Sequence, residues 1–218
     1  MNGIVTMILT GLYETLLMTA ASSLFAYIIG IPLGVILVVT DDKGIKPMKR
    51  LNAFLGMIIN LIRSVPFMIL LIMVIPLTRI LVGTSIGPIA VIPPLVIAAA
   101  PYIARMVESS LKEVDAGVIE AAKSMGANNF QIIFMVLLPE SKPSLLVGAA
   151  ISVTTILGYS AMAGFTGGGG LGTIAINYGY YRYKTDMMFI TVAILVLLVQ
   201  IIQEIFMRSS RYSDRRIR

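Results

Sequence analysis

From Thr15 to Thr40 the chain runs 26 residues without a single charge. At 1.5 Å of rise per residue, a helix of that length crosses the roughly 30 Å hydrocarbon core of a bilayer with some tilt to spare. An uncharged run this long has few other destinations, because a bilayer leaves no water to satisfy backbone groups that a helix does not pair internally. The rest of the chain repeats the pattern. Only 13% of its 218 residues are charged and 57% are hydrophobic, whereas soluble domains carry about 25% charged residues. The expected fold is an all-α integral membrane protein, one transmembrane domain over 1–218. Its five spans are read at about 15–40, 54–78, 88–106, 143–164 and 186–207.

Local features refine this picture. Gly30-Ile31-Pro32-Leu33-Gly34 has the small-xxx-small spacing that lets helices approach closely, with Pro32 a candidate kink. The third span carries Pro88, Pro93, Pro94 and Pro101. Prolines at membrane depth need neighbours to satisfy the freed carbonyls, so this span belongs inside a bundle. Basic residues cluster in the segments 41–50, 105–142 and 208–218, with Arg79, Arg182 and Lys184 opposite them. The positive-inside rule then puts the N-terminus outside and the C-terminus in the cytoplasm. The first 11 residues lack the basic start of a cleavable signal peptide.

Several chemistries are excluded. The chain has no Cys, no His and no Trp, so Cys/His metal sites and the usual neutral-pH general base are missing. No G-K-[ST] occurs, and with it no phosphate-binding loop. Gly167 to Gly172 formally reads G-x-G-x-x-G, but no strand precedes it and no suitable acid follows, so it is read as a flexible outer loop. Glu108, Glu113, Asp115 and Glu120 are read as solvating, capping and contact groups rather than a catalytic pair. The formal charge of +6 follows from topology and does not imply nucleic-acid binding.

One polar island stands out, from Glu120 to Pro139. Gly126 suits a helix stop in the left-handed conformation. Asn128 and Gln131 have capping-box spacing for a second helix, and Pro139 is expected to end or kink it. Glu120-Ala121-Ala122, Gly126, Leu138 and Pro139 resemble the E-A-A-x3-G-x9-I-x-L-P signature of permease subunits of ABC importers, with Val136 in place of the Ile. Arg63-Ser64-Val65-Pro66-Phe67, Ala99 to Glu108, Gly158 to Gly164, and Gly169-Gly170-Leu171-Gly172 further resemble the methionine-importer permeases. That resemblance implies a cytoplasmic coupling helix over about 115–139, between spans 3 and 4. It docks on a separate ATPase through Glu120, Ala121, Ala122, Gly126, Leu138 and Pro139. It also implies a homodimer of permeases in the bacterial inner membrane, two ATPase subunits, and an extracytoplasmic methionine-binding lipoprotein. No cofactor is expected on this chain itself, ATP and Mg belonging to the ATPase.

Five residues are candidates for the substrate pathway or gate: Arg63, Ser64, Tyr159, Ser160 and Met162. Arg63 interrupts an apolar run and either lines the pathway or pairs near the cytoplasmic mouth, or else marks the inner edge of a span that starts near Ser64, after an amphipathic helix from Leu51. Tyr159, Ser160 and Met162 bring hydrogen-bonding and thioether groups among small residues, and either line the passage or simply pack. Two rival readings stay open. One is the same machinery with another small amino acid. The other is an ATP-independent secondary transporter, which the lack of an intramembrane carboxylate or histidine relay disfavours.

Overall fold

The structure, a computed structural model, describes residues 2–214, which form helices joined by short turns. The single domain read over 1–218, and three of the arginines counted in the tail, extend outside the described residues.

Helix α1 (Asn2–Thr40) is 39 residues long and starts well before the charge-free run, carrying Glu14 within it. It lies against α4 (Pro88–Lys112) through the two spaced glycines. A Cβ on Gly30 would fall 2.6 Å from Ile103 Cγ2, and one on Gly34 would fall 2.7 Å from the Ala104 carbonyl oxygen. Only glycine allows this approach, so the small-xxx-small reading holds. Proline-rich α4 is the most enclosed of the long helices, with Leu95, Ile103, Val107 and Leu111 almost fully covered.

The stretch read as one span at 54–78 is two helices. Helix α2 (Lys49–Arg63) and α3 (Phe67–Val82) meet at a bend of 103°. Pro66 explains the break. It lacks a backbone donor and pushes Val65 away from helical geometry, while Ser64 Oγ donates to the Asn60 carbonyl at 2.8 Å and closes the end of α2. Helix α2 runs back along α1, pinned by Asn52 Nδ2, which donates to the Leu37 carbonyl at 2.6 Å.

After α4 come two short helices, α5 (Ala116–Ser124) and α6 (Asn129–Glu140). Helix α7 (Lys142–Met162) continues into a 3-10 turn over Ala163–Thr166. Four helices, α1, α4, α7 and the last, α9 (Thr185–Ser213), are long and apolar enough to cross a membrane, and the bent α2–α3 pair makes a fifth if it counts as one span. Helix α9 exposes Phe189, Val196, Leu197, Ile201 and Ile205, a surface suited to lipid.

The glycine-rich segment read as a flexible outer loop is instead tightly packed. Gly167, Gly169 and Gly170 adopt positive φ and lead into α8 (Gly170–Ile174), which continues as a π-helical turn to Tyr180. A Cβ on Gly172 would collide with the Ala161 carbonyl oxygen. Side chains of α1 cap the start of α8: Gly170 N–H donates to Glu14 Oε2 at 2.6 Å and Leu171 N–H to Thr15 Oγ1 at 2.9 Å. Glycine here serves close backbone approach, not mobility.

Candidate functional site

The coupling segment is built by local hydrogen bonds that the sequence dictates. Asp115 precedes α5, and its Oδ1 accepts from Gly117 N–H at 2.7 Å, an N-cap. At the other end Gly126 sits at φ 83°. Gly126 N–H donates to the Lys123 carbonyl at 2.9 Å and Ala127 N–H to the Ala122 carbonyl at 3.0 Å, the paired bonds of a Schellman motif. Asn128 and Gln131 then exchange side-chain and backbone bonds, each at 2.9 Å, so the capping box is present as the spacing indicated.

Helix α6 ends at Glu140, one residue past Pro139. The helix widens into a π-helical turn over Ile132–Leu137 and runs through Pro139 to Glu140. Proline in an ordinary α-helix clashes with the carbonyl four residues back. Wider winding just before Pro139 relieves that clash, and Leu138 N–H bonds to the Ile133 carbonyl, five residues back.

The signature residues divide by face. Ala122 is buried in the main core with Leu111, Val114, Ile132 and Leu137, which fastens the segment to the end of α4. Glu120, Ala121, Gly126 and Pro139 face outward, and Leu138 is half-buried. The outer surface carries apolar side chains that sequence reading did not single out. Met125 is 81% exposed and Met135 72%, beside Phe130 and Phe134, whose ring centroids lie 4.3 Å apart. The signal was available as large apolar residues inside a polar island. An exposed apolar patch rimmed by polar residues marks a protein contact surface.

An ion network ties this end of the bundle together. Arg105 Nη1 lies 2.7 Å from Glu108 Oε2, and Lys112 Nζ bridges Glu108 Oε1 at 2.9 Å and Asp41 Oδ2 at 2.7 Å. Arg105 also donates to the Gly56 carbonyl and Asn60 Oδ1 on α2, both at 3.1 Å. The hydrogen bond from Lys112 holds the Asp41 carboxyl below its usual range. Glu108 and Asp115 therefore act as ion-pair and capping groups.

The pathway candidates separate into two groups. Arg63 ends α2 with its guanidinium 6.0 Å from the centroid of the Tyr102 ring, and Ser64 follows at the bend. Tyr159 stacks on Phe67, centroids 4.4 Å apart and rings within 4° of parallel, which joins α7 to the start of α3 just past that bend. Ser160 is buried and donates to the Leu157 carbonyl of its own helix at 2.7 Å, so its hydroxyl is spoken for. Met162 is exposed at the end of α7.

Comparison with known proteins places this geometry. Residues 30–218 match the family described as binding-protein-dependent transport system inner membrane component. A probable D-methionine transport system permease protein MetI of Vibrio cholerae is 49% identical over 199 residues, covering 91% of this chain and 88% of that protein. The D-methionine transport system permease protein MetI of Escherichia coli K12 is 49% identical over 158 residues, 72% of this chain and 73% of that one. Among solved structures, a chain of the MetNI methionine ABC transporter in an inward-facing crystal form superposes with a TM-score of 0.97 at 45% identity, covering 99% of this chain and all of that one. A chain of an amino acid ABC transporter crystallised with histidines shares the fold, with a TM-score of 0.78 at 20% identity.

Proposed function

Since the chain belongs to the family of binding-protein-dependent transport system inner membrane components, we propose that it is the permease subunit of an ATP-driven methionine importer. Two copies form the translocation pathway. Each docks its α5–α6 hairpin on one of two ATPase subunits that bind and hydrolyse ATP with Mg, and an extracytoplasmic methionine-binding lipoprotein delivers the cargo. The N-terminus faces outward and the C-terminus inward, which puts the hairpin in the cytoplasm beside the ATPase.

The observation that carries this reading is the hairpin itself. It is rigidly capped at Asp115, Gly126 and Asn128, anchored to the bundle through Ala122, and apolar on its free face. That combination suits transmission of force from a separate motor. ATP binding would draw two such hairpins together and open the far side of the pathway, and hydrolysis would let them part.

The test is labelled methionine uptake into proteoliposomes carrying the chain alone or with its co-purified ATPase. Uptake that needs both the ATPase and ATP supports the reading. Uptake by the chain alone would overturn it in favour of a secondary transporter, and stronger competition by another unlabelled amino acid would move the cargo assignment.

A further inference from the structure

Arg63 lies in the inner half of the bundle, one helical turn past Asn60, which accepts from Arg105 of the ion network. The ring beside it, Tyr102, is two residues past Ala100, the midpoint of the 25-residue α4. From Tyr102 to Arg105, where the ion network begins, is about 5 Å of helix rise, and to Lys112, where Asp41 closes the coupling end, about 15 Å. On α1 the same level is Gly30, which packs on Ala100 and Ile103.

At that level Arg63 has no carboxylate partner among the described residues. Glu108 lies about 9 Å of helix rise nearer the coupling end and is already paired with Arg105 and Lys112. Glu14 sits roughly 24 Å along α1 from Gly30, where it caps α8. Glu204 pairs with Arg208 at 2.6 Å. The remaining acidic residues lie at the helix ends or in the coupling segment. A second copy related by an axis along the bundle would bring the same set at the same depths, and the counter-charge for Arg63 would then come from neither protomer.

The backbone beside Arg63 points the same way. Ser64 and Pro66 are exposed in the single chain, at a break in the helix. Irregular backbone at membrane depth is tolerated only where protein buries it or water reaches it, and an intramembrane charge likewise faces a partner or a water-filled space.

We propose that Arg63 is a transient receiving point for the carboxylate of an α-amino acid crossing the permease. The inference rests on the importer reading above and deepens it. A guanidinium presents a planar fork that matches a carboxylate edge-on, and the Tyr102 ring 6.0 Å away accepts none of its N–H groups. The Phe67–Tyr159 stack beside the break offers an apolar wall for an uncharged side chain.

The test uses the permease–ATPase complex in proteoliposomes with a methionine-loaded binding protein outside. Arg63→Met keeps length and apolar contact with Tyr102 but removes the charge, and Arg63→Lys keeps the charge. Loss of one charge-assisted contact is expected to lower the maximal uptake rate about tenfold or more in Arg63→Met, with KM, set by delivery, unchanged. Arg63→Lys is expected to recover part of the rate, and ATP hydrolysis stimulated by the loaded binding protein persists in both. Assembly with the ATPase by gel filtration verifies folding. Uptake by Arg63→Met within about twofold of the wild type, or equal impairment of both variants, would overturn the proposal. A wild-type complex that takes up no methionine would remove the importer reading itself, and this inference with it.

Discussion

Lys112, the last residue of α4, reaches across to Asp41, the first residue after α1, with Nζ 2.7 Å from Oδ2. The bridge closes the α1–α4 pair at the coupling end, one turn from where α5 begins. Its two side chains are partly exposed, so its contribution to stability is small, below about 1 kcal/mol.

That bridge makes a pH prediction. The Asp41 carboxyl is held down chiefly by the hydrogen bond from Lys112. A depressed carboxylate contributes its stability above the ordinary carboxyl pKa of about 4 and loses it as pH falls through the lowered value. Asp41→Asn should therefore lower the melting temperature slightly at neutral pH, and the difference from the wild type should vanish in acid. A difference that persisted well below about pH 4 would show that the charge is not its source.

Gly126 needs its left-handed backbone, though the space around it is open: a side chain's Cβ would meet nothing within 4 Å. Gly126→Val should strain the turn by about 1–2 kcal/mol, leave membrane insertion intact, and sharply reduce ATP-driven uptake. Gly126→Asn, which tolerates that conformation, should stay near wild type. Equal uptake by all three proteins would count against a rigid hairpin being required.

The exposed ring pair of α6 should anchor the ATPase. Phe130→Ala with Phe134→Ala is expected to cost about 2 kcal/mol or more of association, about thirtyfold in affinity, if the pair is a central anchor. Co-purified ATPase per permease reports this directly, with insertion and permease yield unchanged. Retention at the wild-type ratio would place the anchor elsewhere.

Thr15 spans 156 residues of sequence to reach Leu171, accepting from its N–H. Thr15→Val keeps the shape and removes the acceptor, leaving a buried donor unmet, a loss of about 1–3 kcal/mol. Thermal unfolding in detergent should register it, whereas Thr173→Val, whose hydroxyl only bonds the Gly169 carbonyl at the start of its own helix at 2.8 Å, should change it less. The reverse order would show that the α1–α8 tie is not what holds the segment.

What could be read from the sequence was whatever local bonds decide. The turn at Gly126 and the Asn128–Gln131 box each close within a few residues, and the residue types name the geometry. The glycine pair of α1 was legible because its spacing alone permits close approach. What escaped depended on distant partners. Glu14 looked like the end of the apolar run, but its carboxylate caps α8 from 156 residues away. The glycines at 167–172 looked loose because nothing in their neighbourhood announces Ala161 against Gly172. The break at Ser64-Val65-Pro66 was legible as one of two readings, an amphipathic helix from Leu51 followed by a span starting near Ser64. The π-helical turn ahead of Pro139 escaped because no residue type specifies one.

The turns of the α5–α6 hairpin are closed by its own hydrogen bonds, at Asp115, Gly126 and Asn128. Parting from the motor would then be a clean separation of two finished shapes, with nothing to refold before they meet again. On the proposed coupling role, little ordering entropy would be lost at each re-engagement, and the same tooth would be caught and released through every cycle in one form.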